Sequence, residues 1–311
     1  MTTSTSQNSE SCDHVGETIP WQTPVITEKL ANEQLSNRID SYLGVPWATL
    51  IDWYTHGNGV NKKSAEQELQ RLGRLPFKPR VTVCQHYKFR TILPLLKKIG
   101  CRDIFTPHAT DMDIEGVRTH AFPLFAPVVP DVVEKRELWY SFVGAYMSHY
   151  ISPVRENIFD DLHPPGTVVV RRGKWQFNAE VYNEQVTGKK TAAFESYQAD
   201  QNKQYYKRVL QQSRFSLCPS GAGPASIRIY ESLACGAIPV ILADSFRLPH
   251  VKGVDWKECC VNIKESEYKD MRNILNDISP GQEQKMRHNC IRAYTHVSGD
   301  NFTKCIKDYY E

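Results

Sequence analysis

The sequence predicts an α/β protein made of two doubly wound parallel units that face each other across a cleft. Short β-branched runs alternate with amphipathic stretches that end at glycine, first over residues 80–125 and again over 138–242. That alternation is the mark of parallel sheets with crossover helices. A stretch with prolines at 127 and 130 and mixed charge separates the two series. A length of 311 residues, 41% hydrophobic and 23% charged, holds two domains of ordinary size and excludes a chain disordered throughout.

Residues 1–20 read as a flexible tail, polar and rich in Ser and Thr. Residues 28–56 predict one or two helices, and 62–73 another that stops at Gly73. Residues 80–85 are the first β-branched run, 91–99 an amphipathic helix closed by Gly100, and 103–106 and 120–125 two further strands. After the 127–137 linker the pattern restarts with strand 138–143, a turn at Gly144, helix 152–162 and strand 167–171. Helix 205–212, strand 214–218, helix 227–235 and strand 237–242 complete it. The expected domains are 21–135 and 136–280, with a helical segment 281–311 returning to the first. Two Rossmann-like units of this kind hold ligands beyond the carboxyl ends of their strands.

Net charge is +3, from 38 Lys and Arg against 35 Asp and Glu, too balanced for a chain that wraps nucleic acid. The nine cysteines include no C-x-x-C pair, which excludes zinc-ribbon and redox motifs. Several lie in apolar runs, as Cys84 and Cys218 do, and read as buried thiols of a reducing compartment. The N-terminus lacks the basic and apolar regions of a signal peptide. The longest apolar stretches, 122–129 and 237–243, fall short of the ~20 residues that span a bilayer. The expected location is cytoplasmic.

Residues 213–244 carry the chemistry, reading as strand, glycine-bearing loop, helix, tight turn and strand. In the loop of Ser220, Gly221, Ala222 and Gly223 the glycines let a ligand approach the backbone. Pro224 suits an early helical position and Ser226 a cap. A helix N-terminus offers free N–H groups and partial positive charge to a phosphate. Arg228 adds a forked cation for a diphosphate. Glu231, one turn on, is placed to accept from ribose hydroxyls. On spacing alone, glycine and proline that merely punctuate a βαβ unit look much the same.

The segment resembles the signature region of the exostosin-family glycosyltransferases. The shared positions are Ser213, Arg214, Phe215, Pro219, Gly221, Ser226, Arg228, Glu231, Gly236, Ile238, Pro239, Val240, Ile241, Asp244, Leu248 and Pro249. One departure is the order Ser216, Leu217, Cys218 where many members have Cys–Leu, so Cys218 is not read as functional. Upstream, residues 140–144 followed by Arg155 look like the strand, glycine, helix and arginine that open the family's nucleotide-binding domain. Residues 101–108 look like its N-domain strand. The likeness spans residues 80–260 and is strongest to short members without a membrane anchor, while the first 75 residues resemble nothing known.

The resemblance implies a GT-B architecture and an inverting enzyme. It implies a nucleotide-sugar donor, expected to be a uridine diphosphate sugar, in the second domain, and a glycan or glycolipid acceptor held mainly by the first. The donor contacts expected are Gly144, Arg155, Ser220, Gly221, Ala222, Gly223, Ser226, Arg228 and Glu231. Among them Arg228 and Glu231 hold diphosphate and ribose, and Arg155 assists the leaving phosphate. Arg171, at the end of strand 167–171, faces the same cleft by topology. No metal or other cofactor is required, because enzymes of this architecture neutralise the diphosphate with helix dipoles and cations.

Inverting transfer needs a general base from the first domain. His108, Asp111 and Asp113 follow a predicted strand end, where an active-site loop belongs, and His86 is a further candidate. An ordinary polar loop and a satisfied structural histidine are the alternatives. Asp111 and Asp113 also form a D-x-D pair, too weak a motif to assign a metal. Two other readings stay open: a sugar-nucleotide epimerase or phosphorylase on the same fold, and a non-catalytic glycan-binding subunit.

Overall fold

A computed structural model describes residues 19–111 and 116–310. Nearly all of the expected tail, and Asp113 with it, lie outside the described residues.

The first sheet has four parallel strands in chain order: β1 (Tyr42–Leu43), β2 (Val81–Val83), β3 (Asp103–Thr106) and β4 (Arg118–Ala121). Strands β1 to β3 are buried at every residue, as parallel strands between helical layers are. Helices α1 (Thr27–Leu35), α2 (Trp47–His56), α3 (Gly59–Leu72) and α4 (Leu93–Ile99) accompany them. Helix α4 ends where Gly100 takes φ 83°, a left-handed conformation that costs glycine nothing. The fourth strand, expected at 120–125, begins at Arg118 and stops before Pro123, which has no N–H for the ladder.

The second sheet has five parallel strands: β5 (Leu138–Ala145), β6 (Val168–Arg172), β7 (Ser213–Pro219), β8 (Ile238–Leu242) and β9 (Val261–Ile263). Their order is β6-β5-β7-β8-β9, so the direction of winding reverses between β5 and β7. Such a reversal opens a crevice at the carboxyl ends of the two strands. Helices α5 (Val154–Asp160), α6 (Ala193–Gln212) and α7 (Arg228–Cys235) link the strands, and α8 (Met271–Asn276) and α9 (Pro280–Thr295) follow. Helix α6 is longer than expected, since its first half is polar and shows no apolar period. The core centres on Phe215, Leu217, Ile238 and Val240 under Ile229 and Leu233 of α7. Fully burying a side chain of this kind contributes about 1.5–3 kcal/mol.

The chain crosses between the two units twice. Residues 122–137 make the first crossing, and within them Arg136 is buried with its guanidinium donating to the carbonyls of Ser213 and Cys235. The second follows α9: Phe302 and Ile306, the latter on α10 (Lys304–Tyr310), pack with Leu35, Val83 and Phe105 of the first unit. A π-helical segment, Ala179–Val186, also docks on that unit. Trp53 Nε1 donates to Gln185 O at 2.6 Å and Asn61 Nδ2 to Val186 O at 2.9 Å. Among the described residues no helix is long and apolar enough to cross a membrane, and the cysteines are unpaired.

Candidate active site

The crevice between β5 and β7 is floored by two arginines. Arg155, on α5, donates from Nε to Ser220 O at 2.7 Å, from Nη1 to Ala145 O at 3.0 Å and from Nη2 to Pro219 O at 3.2 Å. Arg228, the first residue of α7, is buried and donates from Nη2 to Val143 O at 2.5 Å and from Nη1 to Leu217 O at 3.4 Å. Its guanidinium lies 4.7 Å from the Phe142 ring centre. Neither arginine forms an ion pair with a described carboxylate. Burial, and then the neighbouring Arg228, pull the pKa of Arg155 down to about 10, which leaves it charged at neutral pH. Two adjacent cations, half-buried Arg155 and buried Arg228, held by carbonyl dipoles and the ring faces of Phe142, Tyr150 and Tyr206 and not by a paired carboxylate, leave positive charge in a low-dielectric site.

The glycine loop closes over this floor. Its carbonyls are engaged, since Pro219 and Ser220 accept from Arg155, and Gly221 O accepts from Ile151 N at 3.0 Å. By contrast, the N–H groups of Ala222, Gly223, Ala225, Ser226 and Ile227 have no acceptor among the described residues. Free amides beside unpaired guanidiniums suit a phosphate. Space is reserved by the absent side chains: a Cβ at Gly144 would lie 3.3 Å from Arg228 Nη2, and one at Gly221 3.0 Å from Arg155 Nη2.

The first unit meets the loop at Gly223. A Cβ there would fall 2.5 Å from His108 Nδ1 and 2.9 Å from Tyr87 Cβ, so only glycine allows this approach. The two residues follow β3 and β2, which means that the carboxyl ends of both sheets point into one cleft, the GT-B-like arrangement expected. His108 is buried, and its Nδ1 has no hydrogen-bond partner. Burial, and then neighbouring His86, hold its pKa near 3 against a smaller upward pull from the Gln85 backbone, so the ring is neutral. His86 has no free nitrogen. Its Nδ1 accepts from Lys88 N at 3.0 Å and its Nε2 meets Asp52 Oδ1 at 3.1 Å. That pair continues into a buried chain, with Gln22 donating to Asp52 at 3.0 Å and Gln85 to Gln22 at 3.0 Å.

Several expected site residues are placed differently. Glu231 is fully buried, its Oε2 accepts from Tyr206 Oη at 2.5 Å and its Oε1 has no hydrogen-bond partner among the described residues. Burial pushes its pKa up to about 7, against the opposing pull of Tyr206 and Arg228. Arg171 turns away from the cleft to Glu156 at 3.5 Å and Asp160 at 3.8 Å, because β6 packs beside α5. Ser226 caps nothing, since α7 begins a residue later and its N-cap position, Ile227, brings no side-chain bond. Ser220 Oγ donates to Glu265 at 2.6 Å, and Ala222 stays half-exposed. Asp111 is 90% exposed at its side chain and pairs with Arg247 across the cleft at 3.4 Å, an exposed ion pair with no buried proton partner.

Two parallel units thus face each other across a cleft, with a cationic, amide-lined crevice at the switch point of one and a neutral histidine of the other opposite it. The family is shown by sequence: the exostosin GT47 domain matches residues 106–278, more than half the chain, and the protein belongs to that family of glycosyltransferases. Among curated relatives, a probable glucuronoxylan glucuronosyltransferase of Arabidopsis thaliana is 34% identical over 74 residues, 24% of this chain and 16% of that protein. The probable beta-1,4-xylosyltransferase IRX10 of the same plant is 37% identical over 73 residues, 24% of this chain and 18% of that one. The matched stretches thus span a fifth or less of those relatives' own length. Among solved structures, the crystal structure of TarM aligns over 82% of this chain and 48% of its own at 9% identity and a TM-score of 0.40.

Proposed function

We propose that the protein transfers a sugar from a nucleoside diphosphate sugar, with uridine as the expected base, to a glycan or glycolipid acceptor. The observation that carries this reading is the pair of guanidiniums, half-buried Arg155 and buried Arg228, lying without carboxylate partners beside unengaged amides at the β5/β7 switch point. A diphosphate supplies the missing charge. As the sugar–phosphate bond breaks, negative charge grows on the leaving oxygen, and donors already fixed around it stabilise that charge without reorganising. Neutralisation falls to these groups, and no metal is required.

Transfer with inversion needs a proton acceptor opposite the leaving group. His108, neutral and reaching from the facing unit, presents Nδ1 for the acceptor hydroxyl proton. A dianionic donor next to it raises its pKa, so the base gains strength when donor is present. Closure of His108 and Tyr87 onto Gly223 keeps water from the donor.

Calorimetric titration with uridine diphosphate, with and without EDTA, tests the reading. Binding that survives EDTA and is lost in Arg228→Ala is the expected result. Absence of binding in the unaltered protein overturns the donor site, and binding that needs a divalent ion overturns the metal-free account. The names of the plant relatives make UDP-xylose and UDP-glucuronic acid the first donors to assay.

A further inference from the structure

Charge is spread unevenly along the chain. Residues 69–102 hold nine Lys and Arg and no Asp or Glu. The whole chain has 38 Lys and Arg against 35 Asp and Glu, so setting these nine aside leaves 29 against 35. The small net charge thus hides a basic stretch on an otherwise acidic protein.

The fold gathers most of that stretch at one end of the first sheet. Helices α3 and α4 run against the strands that follow them, so their C-termini lie at the amino ends of β2 and β3. Arg80 stands just before β2 and Arg102 just before β3, where Arg102 N donates to Arg80 O at 2.9 Å. Arg118 opens β4 and donates from its N to Arg102 O at 2.7 Å, which puts three arginines on neighbouring strands. Lys78 runs beside Gly100, where a Cβ would lie 3.7 Å from Lys78 Cδ. Lys98 reaches Gly73, where a Cβ would lie 3.4 Å from its Nζ, and Arg74 comes next in the chain. All six are exposed. The side chains of Arg74, Lys78, Arg80, Lys98 and Arg102 have no hydrogen-bond or ion-pair partner among the described residues. Arg118 is held by Asp103, yet its side chain stays 62% exposed. Helix dipoles account for Lys98 and Arg74, since cations suit a helix C-terminus, but Lys78, Arg80, Arg102 and Arg118 belong to no helix.

We propose that this amino edge of the first sheet docks the protein on an anionic lipid bilayer, with the cleft at the carboxyl edge facing away from it. The proposal goes beyond glycosyl transfer and does not depend on the donor site, because none of the six cations belongs to the crevice. A protein partner would call for an apolar centre with few lysines. Among the described residues the large apolar side chain exposed here is Tyr309, whose ring lies 5.9 Å from the Arg118 guanidinium. A nucleic acid runs on past a patch of this size and meets the acidic remainder of the molecule. A bilayer touches one face only. Its headgroup charge attracts each nearby Lys or Arg without a shaped, desolvated site, which suits long side chains left unpaired. Tyr309 adds the kind of amphipathic ring that settles at headgroup level.

Sedimentation of the full chain with phosphatidylcholine vesicles, with and without about 30% phosphatidylserine, tests this. Binding is expected to the anionic vesicles only, and to fall at least about tenfold between about 0.1 and 0.5 M salt. The double variant Arg80→Gln with Arg102→Gln is expected to bind about 25-fold more weakly, about fivefold for each cation lost. Lys78→Gln with Lys98→Gln, expected to lose as much, guards against misfolding of the first pair, and an unchanged melting temperature checks both. Arg208→Gln with Lys252→Gln, exposed cations of the second unit, should change binding by less than about twofold. The proposal is overturned if anionic vesicles are not bound, if neutral vesicles bind equally well, or if both edge variants bind in full. An equal loss in the control pair overturns it too, since net charge and not this edge would then drive binding. Tighter binding to a DNA duplex than to the vesicles at the same salt overturns it in favour of a nucleic-acid face.

Discussion

The two units bury charge in opposite ways. In the first, every buried carboxylate described above is engaged. Asp103 accepts two hydrogen bonds from Arg118 and one each from His120 and Tyr310, at 2.7 Å in each case. Glu28 accepts from the amides of Ala48 and Gln85. Asp52 is held by Gln22 and His86. In the second unit Arg155 and Arg228 donate to carbonyl oxygens and lie over aromatic rings with no hydrogen-bonded carboxylate, beside amides with no acceptor among the described residues. A saturated buried group fastens the fold, whereas a buried cation without a hydrogen-bonded carboxylate leaves charge still to be met. The sheets repeat the contrast: the first winds one way throughout, while the second reverses where the arginines lie.

Removing the unsaturated cations breaks this comparison most sharply. Arg155→Ala and Arg228→Ala are each expected to lower kcat/KM by about 100-fold or more and to abolish the heat of uridine diphosphate binding. Arg228→Lys keeps the charge but not the fork, so most of the loss is expected to remain. Wild-type activity in both alanine variants would show that these cations serve the sheet alone.

Removing a saturated carboxylate is expected to act on stability instead. Asp103→Ala lowers the unfolding free energy by about 2–4 kcal/mol, read from urea midpoints, with activity per folded molecule unchanged. Burial pushes the Asp103 pKa up, but the bonds from Arg118, Tyr310 and His120 outweigh it and hold the group below its usual value. Its contribution is therefore present above the unfolded carboxylate pKa and lost as pH falls through the lower folded value. The variant's loss of stability should shrink in acid, and a constant difference across that range contradicts the assignment.

A smaller effect probes the contact between the units. Gly223→Ala places a methyl against His108 and Tyr87, and about a tenfold fall in kcat is expected with little change in the melting temperature. The mildest prediction concerns the two buried glutamates. Burial raises Glu28 from 4.5 to about 8 and Glu231 from 4.5 to about 7. Between the unfolded and folded values the unfolded chain ionises while the folded one stays protonated, so stability declines as pH rises through that window. Glu28→Gln and Glu231→Gln should each flatten the decline, and an unchanged slope in urea titrations removes the explanation.

Much of the second unit was legible because its signals are local. Buried strands stand out as unbroken apolar runs, and Gly236, at φ 73°, ends α7 where the turn was expected. Strand 103–106 was legible from the apolar pair Ile104 and Phe105 at its centre. The two-residue β1 is too short to show a period, and the π-helical segment has no period that a helix or strand template reads. The spacing of Arg228 and Glu231 put both on α7, but periodicity does not say which side of a helix is sealed, and Glu231 proved fully buried. The polar chain of the first unit was invisible because its members are far apart in sequence, with Glu28 and Gln85 separated by 57 positions and Gln22 and Asp52 by 30. The docking of residues 179–186 on α2 was hidden in the same way, since Trp53 and Gln185 lie 132 positions apart.

The double crossing of the chain restricts how the cleft can open. A body tied to its neighbour at two points swings about the line through them, like a door on two pins, and has little freedom to slide or twist. The pins are residues 122–137, fixed by Arg136, and the stretch that carries Phe302 back to the first sheet. Substrates must then enter along the free edge, away from that axle. Cutting either strand of the tie would turn one swing into several and blur the single closed position in which His108 meets Gly223.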